Sequence, residues 1–241
     1  MHRILTASKD TYITNKIINK SFRATDANVG NAGTLDLFKL YDENQLGLNS
    51  QQIELSRLLI KFPVSEISKM DEDKTIDINS DSFKCEVKLH DVYGGQTIPS
   101  NFTAILFPLA QKFDEGTGFD VVSYSDVMSS NYITASIVGG EAIKWNQPGA
   151  LASGSLGSSN LDVYVSGTLA GPAGSSLVSL SPTQTFKTGK EDLVIDVTRI
   201  VSGTVSGQIP DYGFLIGLSG SFEKNNRSYF VKRFASRNVQ V

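Results

Sequence analysis

The 241-residue chain contains one cysteine, two histidines and one tryptophan. The single Cys85 excludes an internal disulfide, and a cysteine-based zinc site would need ligands from a partner chain. A multi-histidine metal site or a Ser-His-Asp triad would have to use His2 or His90, the two histidines of the chain. Composition therefore gives little support to metal-dependent or triad-based catalysis.

Long apolar runs are also missing, and no stretch approaches the length of a membrane span. The N-terminal sequence MHRILTASKDTYIT has a basic start but no apolar run of signal-peptide length. We therefore expect a soluble protein that is not exported by the Sec route and has no membrane partner.

Charge of one sign is not in excess. The formal net charge is −3, from 22 lysines and arginines against 25 aspartates and glutamates. This balance gives no signal for binding a polyanion, so nucleic acid is not an expected partner. The hydrophobic and charged fractions, 40% and 20%, are ordinary for a globular protein, and the chain is long enough to bury a core without disulfides.

What the sequence does contain is short alternating runs separated by clusters of glycine, asparagine, aspartate, serine and proline, which predict antiparallel strands and turns. The clearest run, 81–94, alternates Phe83, Cys85, Val87 and Leu89 with charged residues and predicts a half-buried strand. In this strand Cys85 is interpreted as a buried small hydrophobe. Pro108 places its strand at an edge or a bulge. Further strands are predicted within 34–41, 53–64, 101–113, 191–197, 212–220 and 228–236.

Segment 139–174 is rich in glycine, serine and alanine and is interpreted as long surface loops around one short strand. One helical turn is predicted after Pro63, with Ser65 as its cap, and another is capped by Thr198. Together these patterns predict an all-β protein, an antiparallel β-sandwich with long Gly/Ser-rich loops and one or two short helical turns. We expect a single domain, 1–241, with an N-terminal arm over about 1–28.

The segment 112–126, KFDEGTGFDVVSYSD, concentrates four carboxylates around two glycines. Because Gly116 and Gly118 permit a tight turn, we interpret the carboxylates as groups that fold the loop by binding backbone amides. A Ca²⁺ site formed by Asp114, Glu115 and Asp120 is the alternative. Glycoside hydrolysis would require two carboxyl groups at a fixed separation, which the sequence alone does not indicate. We expect neither a catalytic residue nor a cofactor, and calcium is the one metal ion left open.

Trp145 and three arginines are the structural or interface candidates. A lone tryptophan in a sandwich is interpreted as a buried residue with its N–H satisfied, and a sugar-stacking platform shared with Tyr124 and Tyr132 is the alternative. The basic C-terminal run contains Arg227, Arg233 and Arg237. An arginine within a strand is expected to pair with a carboxylate inside the chain, such as Glu191, Asp192 or Asp196, in preference to a subunit contact.

The order of several short motifs carries a resemblance. They are DTYIT, NVGNAGTLDLF, SRLLIKFPVSEI, CEVKLHDVY, KFDEGTGFD, KWNQPGA, DLVIDVTRIV, YGFLIGL and FVKRFASRN. In this order they resemble the DNRLRE-type β-sandwich family, most closely its versions among virion structural proteins of tailed bacteriophages. The resemblance spans nearly the whole chain and implies a jelly-roll-like sandwich that serves as a stalk, adhesion or particle-building module without catalytic activity. The family continues past FASRN into a closing strand. Here either NVQV begins that strand or 1–241 is the N-terminal part of a longer protein.

The function that we expect from this resemblance is a non-enzymatic structural component of a tailed-phage virion, a tail, neck or head accessory protein assembled in the host cytoplasm. Its partners would be other virion proteins and further copies of the same chain. The Gly/Ser-rich segments 139–159 and 167–176 and the N-terminal arm are expected to contact these neighbours. The alternative is a carbohydrate-binding or adhesion module that recognises a surface glycan.

Overall fold

The computed structural model describes residues 2–19, 22–41, 53–92, 100–171, 174–225 and 227–239. The described residues form sixteen strands and three helices, and none of these helices is long and apolar enough to cross a membrane. The strands are β1 Lys9–Thr14, β2 Ile17–Ile18, β3 Phe22–Arg23, β4 Thr34–Tyr41, β5 Ile53–Lys61, β6 Glu86–Leu89, β7 Phe102–Pro108, β8 Thr134–Val138, β9 Glu141–Lys144, β10 Ser153–Ser155, β11 Val163–Gly171, β12 Gly174–Ser179, β13 Thr183–Phe186, β14 Leu193–Asp196, β15 Phe214–Leu218 and β16 Phe230–Ala235. The helices are α1 Ser65–Glu72, α2 Thr198–Val205 and α3 Gly220–Lys224.

Strand β5 joins the two layers of the main sheet. Its later residues pair antiparallel with β1 and with β15, and β15 in turn pairs with β7, which pairs with β13. Its first residues, from Ile53 to Leu55, pair with β4, and β4 pairs with β16. The path β13-β7-β15-β5-β4-β16 is therefore one antiparallel sheet that passes from one layer to the other through β5.

The second layer is widened by β6 and β14. The bridge between Asp91 and Phe234 places the end of β6 beside β16, and β14 pairs antiparallel with β6. Aromatic side chains fill the space between the layers. Phe102 and Phe186 stack with their ring centroids 4.5 Å apart, and Phe102 also contacts Phe230 of β16 at 4.8 Å. This arrangement confirms the predicted all-β sandwich.

Period-two burial explains why these segments form strands. In β16 the residues Phe230, Lys232 and Phe234 are buried and alternate with more exposed positions. Strand β15, in contrast, is buried at all five positions because it has a strand on each side and lies inside the core. Val87 and Leu89 are buried as predicted, although β6 is shorter than the predicted run.

The predicted loops of segment 139–174 are wrong. The segment contributes β9 to a hairpin with β8, and the strands β10, β11 and β12 form a separate three-stranded sheet. Glycines here permit close packing as well as turns. A Cβ on Gly167 would lie 2.7 Å from the Cβ of Leu156, and one on Gly154 would lie 2.9 Å from Leu161. Composition suggested loops because it does not separate glycines in tight strands from glycines in turns.

The predicted N-terminal arm is also ordered differently. Within 1–28, β1 is a full strand of the main sheet, and β2 and β3 form a two-stranded antiparallel sheet. Pro108 does not mark an edge, since β7 lies between β13 and β15. It is the last residue of β7, beyond the part that pairs with β13, where its missing N–H costs no hydrogen bond to that strand.

The helices differ from the prediction in number and in their caps. There are three in the described residues, and α1 and α2 each have eight residues, which is more than a single turn. Neither Ser65 nor Thr198 makes a side-chain cap, because both lie inside their helices, after Val64 and Val197. The Thr198 hydroxyl instead accepts the amide N–H of Cys85 at 2.9 Å and joins α2 to the chain that enters β6.

Candidate functional site

The acidic segment is organised by Asn28, a fully buried residue that precedes β4. Its side-chain amide donates to the carbonyl oxygens of Glu115 at 2.9 Å and Ser130 at 2.8 Å. Its Oδ1 accepts the amide N–H groups of Gly30 at 3.2 Å and Gly118 at 2.9 Å. One side chain thus satisfies four backbone groups and fixes three segments of the chain around it.

Glycine is required where the chain passes Asn28. A Cβ on Gly118 would lie 1.9 Å from the Asn28 carbonyl oxygen, and one on Gly116 would lie 2.3 Å from the Asn28 side chain. Gly116 also has a φ of +76°, which L side chains rarely adopt. The two glycines of the acidic segment therefore serve the folding of the loop, as the sequence interpretation held.

Glu115 joins the loop to both ends of the described chain. Its carboxylate accepts the Asp10 amide N–H at 2.7 Å and two hydrogen bonds from the Arg237 guanidinium, at 2.9 and 2.5 Å. Asp10 is itself buried and accepts the Arg237 amide N–H at 2.7 Å. Burial raises the pKa of the Asp10 carboxyl above its ordinary value, against the lowering effect of the Arg237 amide.

The remaining carboxylates of the segment have separate partners. Asp114 accepts the Ile137 amide N–H at 2.7 Å and lies 3.6 Å from the Lys9 ammonium. Asp120 accepts the amide N–H groups of Ser123 and Val122, both at 2.7 Å, and these bonds lower the pKa of the Asp120 carboxyl. Each carboxylate thus binds its own backbone amides, as predicted for a folded loop.

The three calcium candidates, Asp114, Glu115 and Asp120, bind different groups and do not share a partner. Within the part of the chain that the structure describes, no group of three or more His, Cys, Asp or Glu side chains is arranged to hold a metal ion. The contacts of the acidic segment are those of a structural loop.

Trp145 is buried, with 4% of its surface exposed, and its indole N–H donates to the Asn131 carbonyl at 2.9 Å. This is the predicted structural role. A sugar ring cannot stack on Trp145 in this position. Of the two tyrosines proposed to share a glycan platform with it, Tyr124 is exposed and Tyr132 is partly buried.

An exposed apolar surface lies directly after the acidic glycines. We name Phe119–Met128 the apolar loop, because five of its ten residues are large apolar side chains that are between 40% and 63% exposed. They are Phe119, Val122, Tyr124, Val127 and Met128. Two hydrogen bonds hold the loop backbone. The backbone N–H of Asn28 donates to the Tyr124 carbonyl, and the backbone N–H of Asp126 donates to the Asp26 carbonyl. These hydrogen bonds anchor the loop, and its large apolar side chains are exposed to solvent.

The interface candidates of the C-terminal run have different roles. Arg233 pairs with Asp36 at 3.2 Å, and Arg237 pairs with Glu115 at 2.5 Å. Arg227 is exposed, and its amide N–H donates to the Asn225 side chain. The preference for pairs inside the chain is confirmed for Arg233 and Arg237.

The predicted partners of these arginines are wrong. Asp192 pairs with Lys88 at 3.4 Å and His90 at 3.2 Å, while Glu191 and Asp196 accept backbone amides. Strand β16 pairs with β4, and this pairing places Asp36 of β4 opposite Arg233. Strand order, which the sequence does not show, decides the partner.

The sequence analysis did not identify two lysines that are buried in the structure, Lys232 and Lys39. The Lys232 ammonium is bonded to the Asp91 carboxylate and to the carbonyls of Gly189 at 2.8 Å and Glu191 at 3.0 Å, and it lies 5.2 Å from the ring centroid of Phe234. Its alternation with buried phenylalanines was a usable signal, because it places the lysine on the core face. Lys39 is buried too and donates to the Phe222 carbonyl at 2.6 Å.

Cys85 is partly buried just before β6. Burial, together with the nearby Asp196 carboxylate, raises the pKa of its thiol to about 11. A thiol with such a pKa is almost entirely protonated at neutral pH and is a poor nucleophile. The weak nucleophilicity fits the predicted inert residue, but the predicted buried strand position is wrong, because Cys85 is only partly buried and precedes β6.

No protein-family model matches the chain, and no curated protein sequence matches it either. The resemblance to the DNRLRE-type family therefore stays a prediction from the order of the motifs.

Proposed function

We propose that this protein is a non-enzymatic structural component of a tailed-bacteriophage virion, assembled in the host cytoplasm through protein contacts. The observation that carries the proposal is the apolar loop. Exposed apolar surface rimmed by polar residues is characteristic of protein interaction sites. A particle-building subunit needs such a surface, whereas an enzyme needs converging reactive groups.

Charge around the apolar loop indicates the kind of partner. Between Phe113 and Ile143 the sequence has five carboxylates and no lysine or arginine, and two of the five, Asp114 and Glu115, are paired with Lys9 and Arg237. Asp120 and Asp126, within the loop, are held by backbone amides of Val122, Ser123 and Met128. The complementary surface is an apolar patch with lysines or arginines at its rim on another virion protein.

The carboxylate contacts favour this role over glycoside hydrolysis. Glu115 is engaged by an arginine and a backbone amide, and Asp114 by a different amide and a lysine. Both groups are used in folding the loop, and the adjacent glycines are used in the same way. A glycan-binding role loses its main candidate because Trp145 is buried.

The first test is quantitative mass spectrometry of purified phage particles from the source that encodes this chain. A copy number compatible with a virion symmetry supports the proposal. Absence of its peptides from the particles contradicts it and favours an adhesion role.

A pair of variants tests the surface itself. Val122 in the apolar loop and Val138 at the end of β8 have nearly equal exposure, 63% and 62%. We expect Val122→Asp to reduce incorporation of the protein into particles by at least about tenfold, because a charge would be buried in the contact, and Val138→Asp to leave it unchanged. Equal incorporation of the two variants would overturn the assignment of the apolar loop.

A further inference from the structure

Among the residues that the structure describes, none pairs with the outer side of β12, which is a strand edge. In the three-stranded sheet the order is β10-β11-β12, so β12 has β11 on one side only. No hydrogen bond joins the backbone groups of its outer side to any residue within the described ranges. Such an edge is a template for a further strand.

The backbone groups that point outward can be identified from the register. Ala170 is opposite Ser175, yet its amide N–H donates to the Gln208 side chain instead of to β12. Ala170 and Ser175 are therefore a pair that does not exchange hydrogen bonds, and the same holds two residues along for Thr168 with Leu177. The N–H and C=O groups of Ser175, Leu177 and Ser179 consequently face away from β11.

This edge lacks the features that usually protect a strand. Natural edges carry charges, prolines or bulges, or are covered by another element. Strand β9 has Glu141 and Lys144, and β14 has Asp196. In contrast, β12 has the sequence GSSLVS, with neither charge nor proline, and Leu177 is 75% exposed at its centre.

The pattern of the outward groups is symmetric about Leu177. The residues whose backbone groups face outward are Ser175, Leu177 and Ser179. Antiparallel self-pairing about Leu177 therefore places leucine opposite leucine and serine opposite serine. Every outward N–H then meets a C=O of the other copy. No residue of β12 is charged, so the strand itself brings no like-charge repulsion to a self-contact. The Arg199 guanidinium, 3.4 Å from the Ser176 hydroxyl, lies on the sheet face opposite the Leu177 side chain.

We infer that β12 pairs antiparallel with β12 of a second copy of this chain, across a twofold axis at Leu177. The result is a continuous six-stranded sheet formed by two three-stranded sheets. Because the contact is isologous, it closes as a dimer and leaves no free β12 edge. The inference goes beyond the virion role and does not depend on it, since it follows from this strand alone.

The experiment is sedimentation equilibrium of the full chain up to about 500 µM, a range that includes the weak dissociation constants of small interfaces. We expect the weight-average mass to rise from one copy toward two. Leu177→Lys and Leu177→Glu are each expected to remain monomeric, and an equimolar mixture of the two to recover the dimer, because opposite charges then face each other. Recovery in the mixture also shows that both variants are folded.

Two further variants separate the edge from general effects. Leu177→Pro removes an outward N–H that the fold does not use, and we expect it to be monomeric. Val194→Lys places a lysine at an exposed apolar position of another edge strand and should dimerise like the parent chain. A parent chain that stays monomeric over the whole concentration range, or a dimer that persists in Leu177→Pro, would overturn the inference. Presence or absence of the protein in virions would not change either result.

Discussion

Asn28 and Gly118 hold each other in place. The Asn28 Oδ1 accepts the Gly118 amide N–H at 2.9 Å, while the Asn28 backbone carbonyl occupies the position that a Gly118 Cβ would need, 1.9 Å away. The close approach is possible only for glycine, and the hydrogen bond makes it favourable. The support of the apolar loop therefore depends on a residue far from it in sequence.

Replacement of Asn28 by alanine tests this support. The variant leaves the part-buried Glu115 carbonyl, the buried Ser130 carbonyl and the buried Gly118 amide without their partner. We expect the free energy of unfolding to fall by about 3 kcal/mol or more in urea denaturation. Asn31→Ala, which removes one exposed 3.4 Å hydrogen bond to Thr117, is the control and should change it by less than about 0.5 kcal/mol. Similar losses in both variants would contradict the role of Asn28.

The buried ion pair of Lys232 should contribute far more than a surface pair. Lys232→Met leaves the Asp91 carboxylate uncompensated in a largely buried position, and we expect a loss of about 3–5 kcal/mol. Lys88→Met breaks an exposed pair with Asp192 and should cost less than about 1 kcal/mol. Thermal and urea unfolding of the two variants measure the difference. A loss below about 1 kcal/mol for Lys232→Met would show that the Asp91 pair does not stabilise the sandwich.

Stability should fall in acid through Glu191. Burial opposes its ionisation, but hydrogen bonds from the amides of Thr188 and Lys187 outweigh burial and lower the pKa of Glu191 from 4.5 to about 2. A carboxyl group whose pKa is lower in the folded than in the unfolded chain stabilises the fold at pH values above the unfolded-state pKa. That contribution is lost as the pH falls from about 4.5 to about 2. Urea midpoints measured across this window should decrease less steeply in Glu191→Gln than in the parent. Identical slopes would refute the assignment.

Trp145 gives an optical readout of the core. Because its ring is buried and its N–H is bonded to Asn131, we expect native emission to be blue-shifted relative to the unfolded chain. Acrylamide should quench the native protein much less than the unfolded one. Soluble glycans should leave both the emission and the quenching unchanged. Protection by a glycan would restore the tryptophan platform as a hypothesis.

The sequence predicted the features that depend on local pattern. Alternation identified the buried positions Val87 and Leu89, and the segment 212–220 was correctly predicted to contain a strand, β15. The structural roles of Asp120 and Trp145 were predicted as well, because a carboxylate beside a tight turn and a lone tryptophan in a sandwich have few other uses. In each case the relevant neighbours are near in sequence or the side chain itself limits the answer.

Features that depend on strand order were not predicted. Asn28 binds segments about 90 and 100 residues away, and Asp36 is the partner of Arg233 only because β4 lies beside β16. The sequence analysis did not predict the three-stranded sheet, because glycine and serine have low strand propensity. In the structure, the glycines of this sheet allow close packing against Leu156 and Leu161. Tertiary contacts override local preference at these positions.

The position of β15 also constrains when the protein folds. Strands β5 and β7 both precede β15 in the chain, yet β15 lies between them in the sheet. During synthesis, their facing edges have no partner until residues 214–218 have left the ribosome. Non-local pairing of this kind slows folding and exposes strand edges in the nascent chain. We expect closure of the sheet to be a late event, which gives nascent chains a period of chaperone dependence that the finished sandwich does not have.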